Sequence, residues 1–178
     1  HLQNLAYLDE DVSLGNGRYL IEPMVLARLL QEANIKKTDT VLDIGCATGY
    51  STTLLAHMAV QVYGVEHDSK MAGEAARHLE RLRISNALIA HTQNLHEGYP
   101  SKAPYNVILI NGAVSSVPDK IKAQMAQGGR LVTVMSRNGH MGSAVLVTRE
   151  GDSFSTRELF DAATPVLSGF EAPKIFTF

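Results

Sequence analysis

The sequence of 178 residues has no tryptophan and a single cysteine, Cys46. One cysteine cannot close an intrachain disulfide, so the fold must rest on its core, and nothing marks an oxidising compartment. No apolar run approaches the ~18 residues that span a bilayer, and no secretory apolar segment opens the chain. Neither charge sign is in excess: 16 Lys and Arg face 18 Asp and Glu, a net charge of −2. That balance argues against a nucleic-acid partner. Cys-x-x-Cys and His-Glu-x-x-His spacings are missing, and His91 and His96 stand five apart, so no metal site is expected. Repeats, low-complexity tracts and linker-like stretches are absent too. With 45% hydrophobic and 19% charged residues, the composition excludes disordered, collagen-like and disulfide-stapled classes. The length suits one domain over residues 1–178, large enough to bury roughly 70% of its unfolded surface. The chain opens on His1, not Met, which fits processing or a cut from a longer chain.

Residues 1–17 read as an irregular arm, with Gly15 and Gly17 as breakers. A helix is expected over Tyr19–Asn34, with Pro23 in its first turn and Val25, Leu26, Leu29, Leu30 and Ala33 on one face. Short apolar runs follow at Thr40–Ile44, Gln61–Glu66, Ala87–Ala90, Tyr105–Ile110 and Arg130–Met135. Helical patterns lie between them at Tyr50–Met58, Ser69–Arg83 and Pro118–Ala126. Asp68 suits an N-cap, and Gly128-Gly129 suits a turn. Continuous apolar strands alternating with helices predict a doubly wound, mostly parallel α/β sheet with helices on both faces. The tail differs: Glu150-Gly151-Asp152 separates two strand patterns as a hairpin, so the sheet should end in antiparallel strands.

The densest signal is Val41-Leu42-Asp43-Ile44-Gly45-Cys46-Ala47-Thr48-Gly49-Tyr50. A buried strand runs into Gly45, and a helix begins near Gly49. Small residues there let a ligand approach the backbone, and the helix start offers free N–H groups. Glu66 ends the next strand, 21 positions after Gly45, where an acid accepts hydrogen bonds from the two hydroxyls of an adenosine ribose. Dinucleotides favour Gly-x-Gly-x-x-Gly, but Tyr50 stands at the third glycine. Asp43 suits an ammonium, as at the amino-acid end of S-adenosylmethionine. A dinucleotide oxidoreductase stays open as the weaker alternative. Cys46 reads as a small buried filler.

These residues resemble the protein-L-isoaspartate O-methyltransferases, in a divergent bacterial form. Val41–Gly45-x-x-x-Gly49-Tyr50 is similar to that family's first cofactor motif, and Val65-Glu66 to its ribose-binding acid. Gly98-Tyr99, Ala103–Asn106 and Gly128–Val132 resemble further family stretches. Asp11–Gly17 with Pro23 resembles its Gly-x-Gly segment leading into a helix, so residues 1–22 would form a substrate-side arm. The resemblance covers about residues 7–135. It implies a Rossmann-like methyltransferase with S-adenosylmethionine as cofactor and S-adenosylhomocysteine as product. Asp43, Gly45, Cys46, Ala47, Gly49, Tyr50, Glu66, His67 and Asn94 would bind the cofactor. The methyl acceptor would be a carboxylate of a damaged aspartyl residue in a protein or peptide. It further implies a cytoplasmic monomer or small homo-oligomer, without membrane or nucleic-acid partners.

The departures from the family are as specific as the matches. Thr-Ile-Ser before the proline is replaced by Tyr19-Leu20-Ile21, so the hydroxyl at the methyl-transfer site is gone. Gly-Asp-Gly after the third strand aligns with Gln93-Asn94-Leu95, leaving Asn94 as an amide acceptor for adenine. Arg18, Tyr19 and Ile21 match the active-site segment. Arg18 would suit an acceptor carboxylate through its two-pronged donors, or stand as a solvated surface charge. Asn111-Gly112-Ala113-Val114 lacks the Pro-Pro-aromatic of enzymes that methylate base amines. A second reading is therefore a cofactor-binding paralogue with another acceptor or without repair activity. The C-terminal part, including Phe160–Ala163 and Phe170–Pro173, is unlike the common family ending, and the chain is slightly short for the family.

Overall fold

The five apolar runs form the parallel centre of one seven-stranded sheet. The structure, a computed structural model, describes residues 10–137 and 140–172. In chain order the elements are β1 (Val12–Gly15), β2 (Arg18–Leu20), α1 (Pro23–Ala33), β3 (Thr40–Ile44), α2 (Tyr50–Met58), β4 (Gln61–Glu66), α3 (Ser69–Arg81), β5 (Ala87–His91), β6 (Tyr105–Val114), α4 (Asp119–Lys122), β7 (Met125–Arg137), β8 (His140–Glu150) and β9 (Ser153–Ala162). The sheet order is β5-β4-β3-β6-β7-β8-β9. Strands β5 to β7 are parallel neighbours, while β8 and β9 add antiparallel. The direction of strand addition reverses between β3 and β6, which opens a crevice at their C-terminal ends.

Why the central strands are apolar without alternation is plain from β6. Val107 and Leu109 face α1 and α2, with Leu26, Leu29, Leu30 and Leu55 opposite. Ile108 and Ile110 point the other way, into a second cluster with Leu42, Ile44, Leu131, Ile121, Leu167 and Phe170. Fully burying one such side chain stabilises the fold by roughly 1.5–3 kcal/mol. The two faces are covered unequally. Long helices serve the first. The second is closed by the short α4, by Leu95 in a 3-10 turn (Leu95–Glu97), and by the segment after β9. That segment docks on the end of β6: Ala113 donates from its N–H to the Pro165 carbonyl, and Leu167 returns a bond to the Ala113 carbonyl.

Several expected boundaries move, each for a local reason. The arm is not irregular over its described part: β1 and β2 pair as an antiparallel hairpin, with a register shift between Ser13 and Gly15. The helix expected from Tyr19 therefore starts at Pro23, because Arg18–Leu20 is spent on the hairpin. Residues 1–9 of the arm lie outside the described residues. The helix Pro118–Ala126 shrinks to Asp119–Lys122, since Met125 already pairs with Tyr105. Gly128-Gly129 is no chain reversal; it lies inside β7, where a register shift against β6 absorbs it. The helical pattern over Ser69–Arg83 puts Met71, Ala75, His78, Leu79 and Leu82 on one stripe, but α3 ends at Arg81, so Leu82 lies beyond its last turn and is exposed. Asp68 caps α3, accepting from the Lys70 and Met71 N–H groups. The Gly151-Asp152 turn joins β8 to β9.

Candidate functional site

The turn after β3 is built from unusual backbone. Gly45, Ala47 and Gly49 all have positive φ, at 77°, 48° and 89°. At Gly49, which precedes α2, a Cβ would stand 3.0 Å from the Ala75 Cβ, so glycine is required twice over. Four of the loop amides are spent within the protein. Gly45 and Cys46 donate to the Val65 carbonyl, Gly49 to the Cys46 carbonyl, and Ala47 to Glu66 Oε2. Cys46 is buried, and burial pushes its thiol well above the usual range, with Asp43 and Glu66 adding to the effect.

Asp43 is fully buried and faces α2. Its Oδ2 accepts from Ser51 Oγ at 2.7 Å and Thr52 Oγ1 at 2.6 Å, while Oδ1 has no partner. Burial raises its carboxyl from 3.8 to about 6, against the pull of the two hydroxyls. Across the crevice, Asn111 on β6 donates to Ser51 Oγ at 2.7 Å and leaves its own Oδ1 unpartnered.

Glu66 ends β4 with no exposed surface. Its Oε1 accepts from the His67 and Asp68 N–H groups at 2.9 and 3.1 Å and lies 3.2 Å from His67 Nδ1. Its Oε2 accepts from the Ala47 N–H and from Arg18 Nη2, both at 2.8 Å. Burial acts to raise this carboxyl, but the Arg18 charge and the donated hydrogen bonds outweigh it and hold it below the usual range.

Arg18 is the residue whose place differs most from expectation. It is neither a solvated charge nor free to take a carboxylate at the surface; it is 2% exposed. The single nitrogen Nη2 reaches both Glu66 Oε2 and the Gly45 carbonyl, each at 2.8 Å, and Nε has no partner. The other active-site positions are split. Ile21, 1% exposed, belongs to the core beside α1, whereas Tyr19 is half-buried at the crevice. Tyr50 and Asn94 are exposed, and the Asn94 side chain makes no hydrogen bond among the described residues.

The crevice at the β3–β6 switch point is nearly filled. A cavity of about 10 Å³ remains, lined by Arg18, Tyr19, Ile21, Asn111, Gly112 and the segment 164–167. That is about one water site, where small-molecule pockets run to roughly 300–1,000 Å³. Leu167 fills much of the rest: a Cβ on Gly45 would stand 3.0 Å from its methyl carbons, and one on Gly112 2.9 Å from its Cβ. That cavity is too small for an adenosine-sized molecule; a larger hollow of about 310 Å³ lies beside Thr48 and Asp68, lined by Ser13, Leu14, Asn16 and the start of α3. Leu167 and Thr164 were not among the expected site residues. The only hint was that the C-terminal stretch departs from the family ending. Asn111 had been read solely for the missing proline pair. Among the described residues no three His, Cys, Asp or Glu side chains cluster as metal ligands, and no helix is long and apolar enough to cross a membrane.

A parallel sheet of this order, with an acidic strand end beside a strand–glycine–helix turn, defines the Rossmann-like methyltransferase fold. The family model for protein-L-isoaspartate (D-aspartate) O-methyltransferase matches residues 1–163, and the chain belongs to that family. A protein-L-isoaspartate O-methyltransferase of Shewanella halifaxensis is 31% identical over 170 residues, covering 94% of this chain and 79% of its own length. Two solved structures share the fold. A protein-L-isoaspartate O-methyltransferase superposes with a TM-score of 0.83 at 22% identity, covering 96% of this chain; the chain spans 56% of that protein's length. A putative one from Plasmodium falciparum, in complex with S-adenosyl-L-homocysteine, gives a TM-score of 0.78 at 20% identity, with 92% and 82% covered.

Proposed function

We propose that the chain is an S-adenosylmethionine-dependent carboxyl methyltransferase that acts on damaged aspartyl residues in proteins. The observation that carries this reading is the family match over residues 1–163, in a chain that keeps Gly45 and Gly49 in the turn after β3 and Glu66 bonded to that turn through the Ala47 N–H. An acceptor carboxylate is already an anion at neutral pH, with a pKa near 4. The protein's task is then to hold two reactants in place rather than to remove a proton. The lining agrees with that task, since Tyr19, Ile21, Asn111, Gly112 and Thr164 include no general base. The balanced charge favours a protein acceptor over a nucleic acid.

A second reading has its own support. Ile21 is a core residue where the family carries a serine, and Arg18 stands in the crevice. Both favour a member that binds ligand without repairing isoaspartate. Methyl transfer to an isoaspartyl peptide separates the two. Methyl ester formation is the expected result. A folded protein that binds S-adenosylhomocysteine but forms no ester supports the second reading and overturns the first.

A further inference from the structure

We propose that the Arg18 side chain is a displaceable latch: it keeps the cofactor crevice shut by occupying Glu66 and the Gly45 carbonyl. This rests on the cofactor reading above, and it assigns to Arg18 the occupation of Glu66 and the Gly45 carbonyl, while Leu167 packs against the Gly45 and Gly112 side of the crevice.

Three observations separate a latch from a permanent tie. The first is position. Arg18 Nη2 touches the carbonyl at the start of the loop and the acid at the end of β4, so its guanidinium lies between the two points that an adenosine ligand must bridge. The second is the quality of the bond. The ion pair uses one nitrogen, not the two-pronged geometry that makes arginine–carboxylate pairs strong. Arg18 Nε and Asn111 Oδ1, from two residues that line the remaining 10 Å³ cavity, are buried and unpartnered. Buried polar atoms in a settled structure nearly always find partners. Here both stand beside the space that a ligand or water would take.

The third is the element that carries it. Leu167 is held by backbone hydrogen bonds to β6. Arg18 sits on a hairpin of four and three residues, joined through Asn16 and Gly17, both at positive φ. Arg18 belongs to no strand of the seven-stranded sheet, so parting its two side-chain bonds leaves that sheet's hydrogen-bond ladder intact. Glu66 would not be stranded by that motion. It keeps three backbone N–H donors, from Ala47, His67 and Asp68, and ribose hydroxyls are donors too.

The test is calorimetric titration of S-adenosylhomocysteine into the full chain and into Arg18→Gln, with thermal melts of both. If the competent state is a tenth or less of the population, removing the latch raises the apparent affinity about tenfold or more. Equal affinity in the two folded proteins overturns the latch and leaves the cofactor reading standing. Weaker binding by a folded Arg18→Gln also overturns it, making Arg18 part of the binding surface. Absence of binding by both folded proteins overturns the cofactor reading, and the latch with it. A wild-type complex decides the matter if the variant does not fold. Arg18 Nη2 and Glu66 Oε2 should part to beyond hydrogen-bond distance when S-adenosylhomocysteine is bound, and an intact pair at 2.8 Å refutes the proposal.

Discussion

Asn111 on β6 donates to Ser51 in the first turn of α2 at 2.7 Å, and so joins two elements across the sheet's switch point. Ser51 passes the contact on to Asp43, whose carboxyl is thereby held between β3 and α2.

That carboxyl makes stability depend on pH in an unusual direction. Burial lifts Asp43 from 3.8 to about 6, so between those values the folded state binds more protons than the unfolded one. The stability it contributes is present below about pH 4 and is lost as pH rises through 6. The shift corresponds to about 3 kcal/mol. Relative to wild type, Asp43→Asn should therefore gain about 2 kcal/mol in unfolding free energy between pH 4 and pH 7. Urea melts across that range check it, and a pH-independent difference refutes it.

Glu66 runs the other way. Its carboxyl is held low, so its contribution is present above the unfolded value and is lost as pH falls through the folded one. Glu66→Ala strands the buried Arg18 charge and should cost about 3–5 kcal/mol. Arg18→Met should cost less, because three backbone donors still serve the carboxylate. Paired urea denaturation gives the order; the reverse order would falsify this account of the pair.

Two glycines should respond oppositely to alanine. Gly49→Ala forces a side chain into φ 89° and against Ala75, at a cost of about 1–3 kcal/mol. Gly73→Ala, inside α3 with open space around it, should stabilise by about 0.5–1 kcal/mol. Thermal melts at one pH compare both with wild type.

Ile21→Ser places the family's hydroxyl in a packed core. It should cost about 3 kcal/mol or more, from the lost side-chain volume and a buried polar group. A melting temperature equal to wild type would show that Ile21 is not the core residue the packing describes.

The parallel sheet was legible because β3, β4, β6 and β7 are buried on both faces and carry that in mostly apolar runs without strict alternation. The glycine turn and Glu66 were legible because backbone demands at such turns leave few residue choices. Arg18 was not. Whether an arginine is buried depends on a carboxylate 48 positions away, and no local pattern in Gly17-Arg18-Tyr19 encodes that. The hairpin β1–β2 was hidden because its strands are four and three residues long, too short for periodicity to register. Leu167 was missed for a similar reason: its place is set by backbone pairing with Ala113, not by its own neighbours.

The docking of segment 164–170 on β6 also sets an order of assembly. Asp11 on the arm accepts from Glu22 nearby and from Thr164 Oγ1, 153 positions later. Contacts of such separation form late, because the intervening loop must be closed first. Chain order places β3 to β7, with the glycine turn and Glu66, ahead of residue 164. Any folding of that sheet before the tail docks leaves the crevice without Leu167, so the last contacts to form are the ones that fill the site.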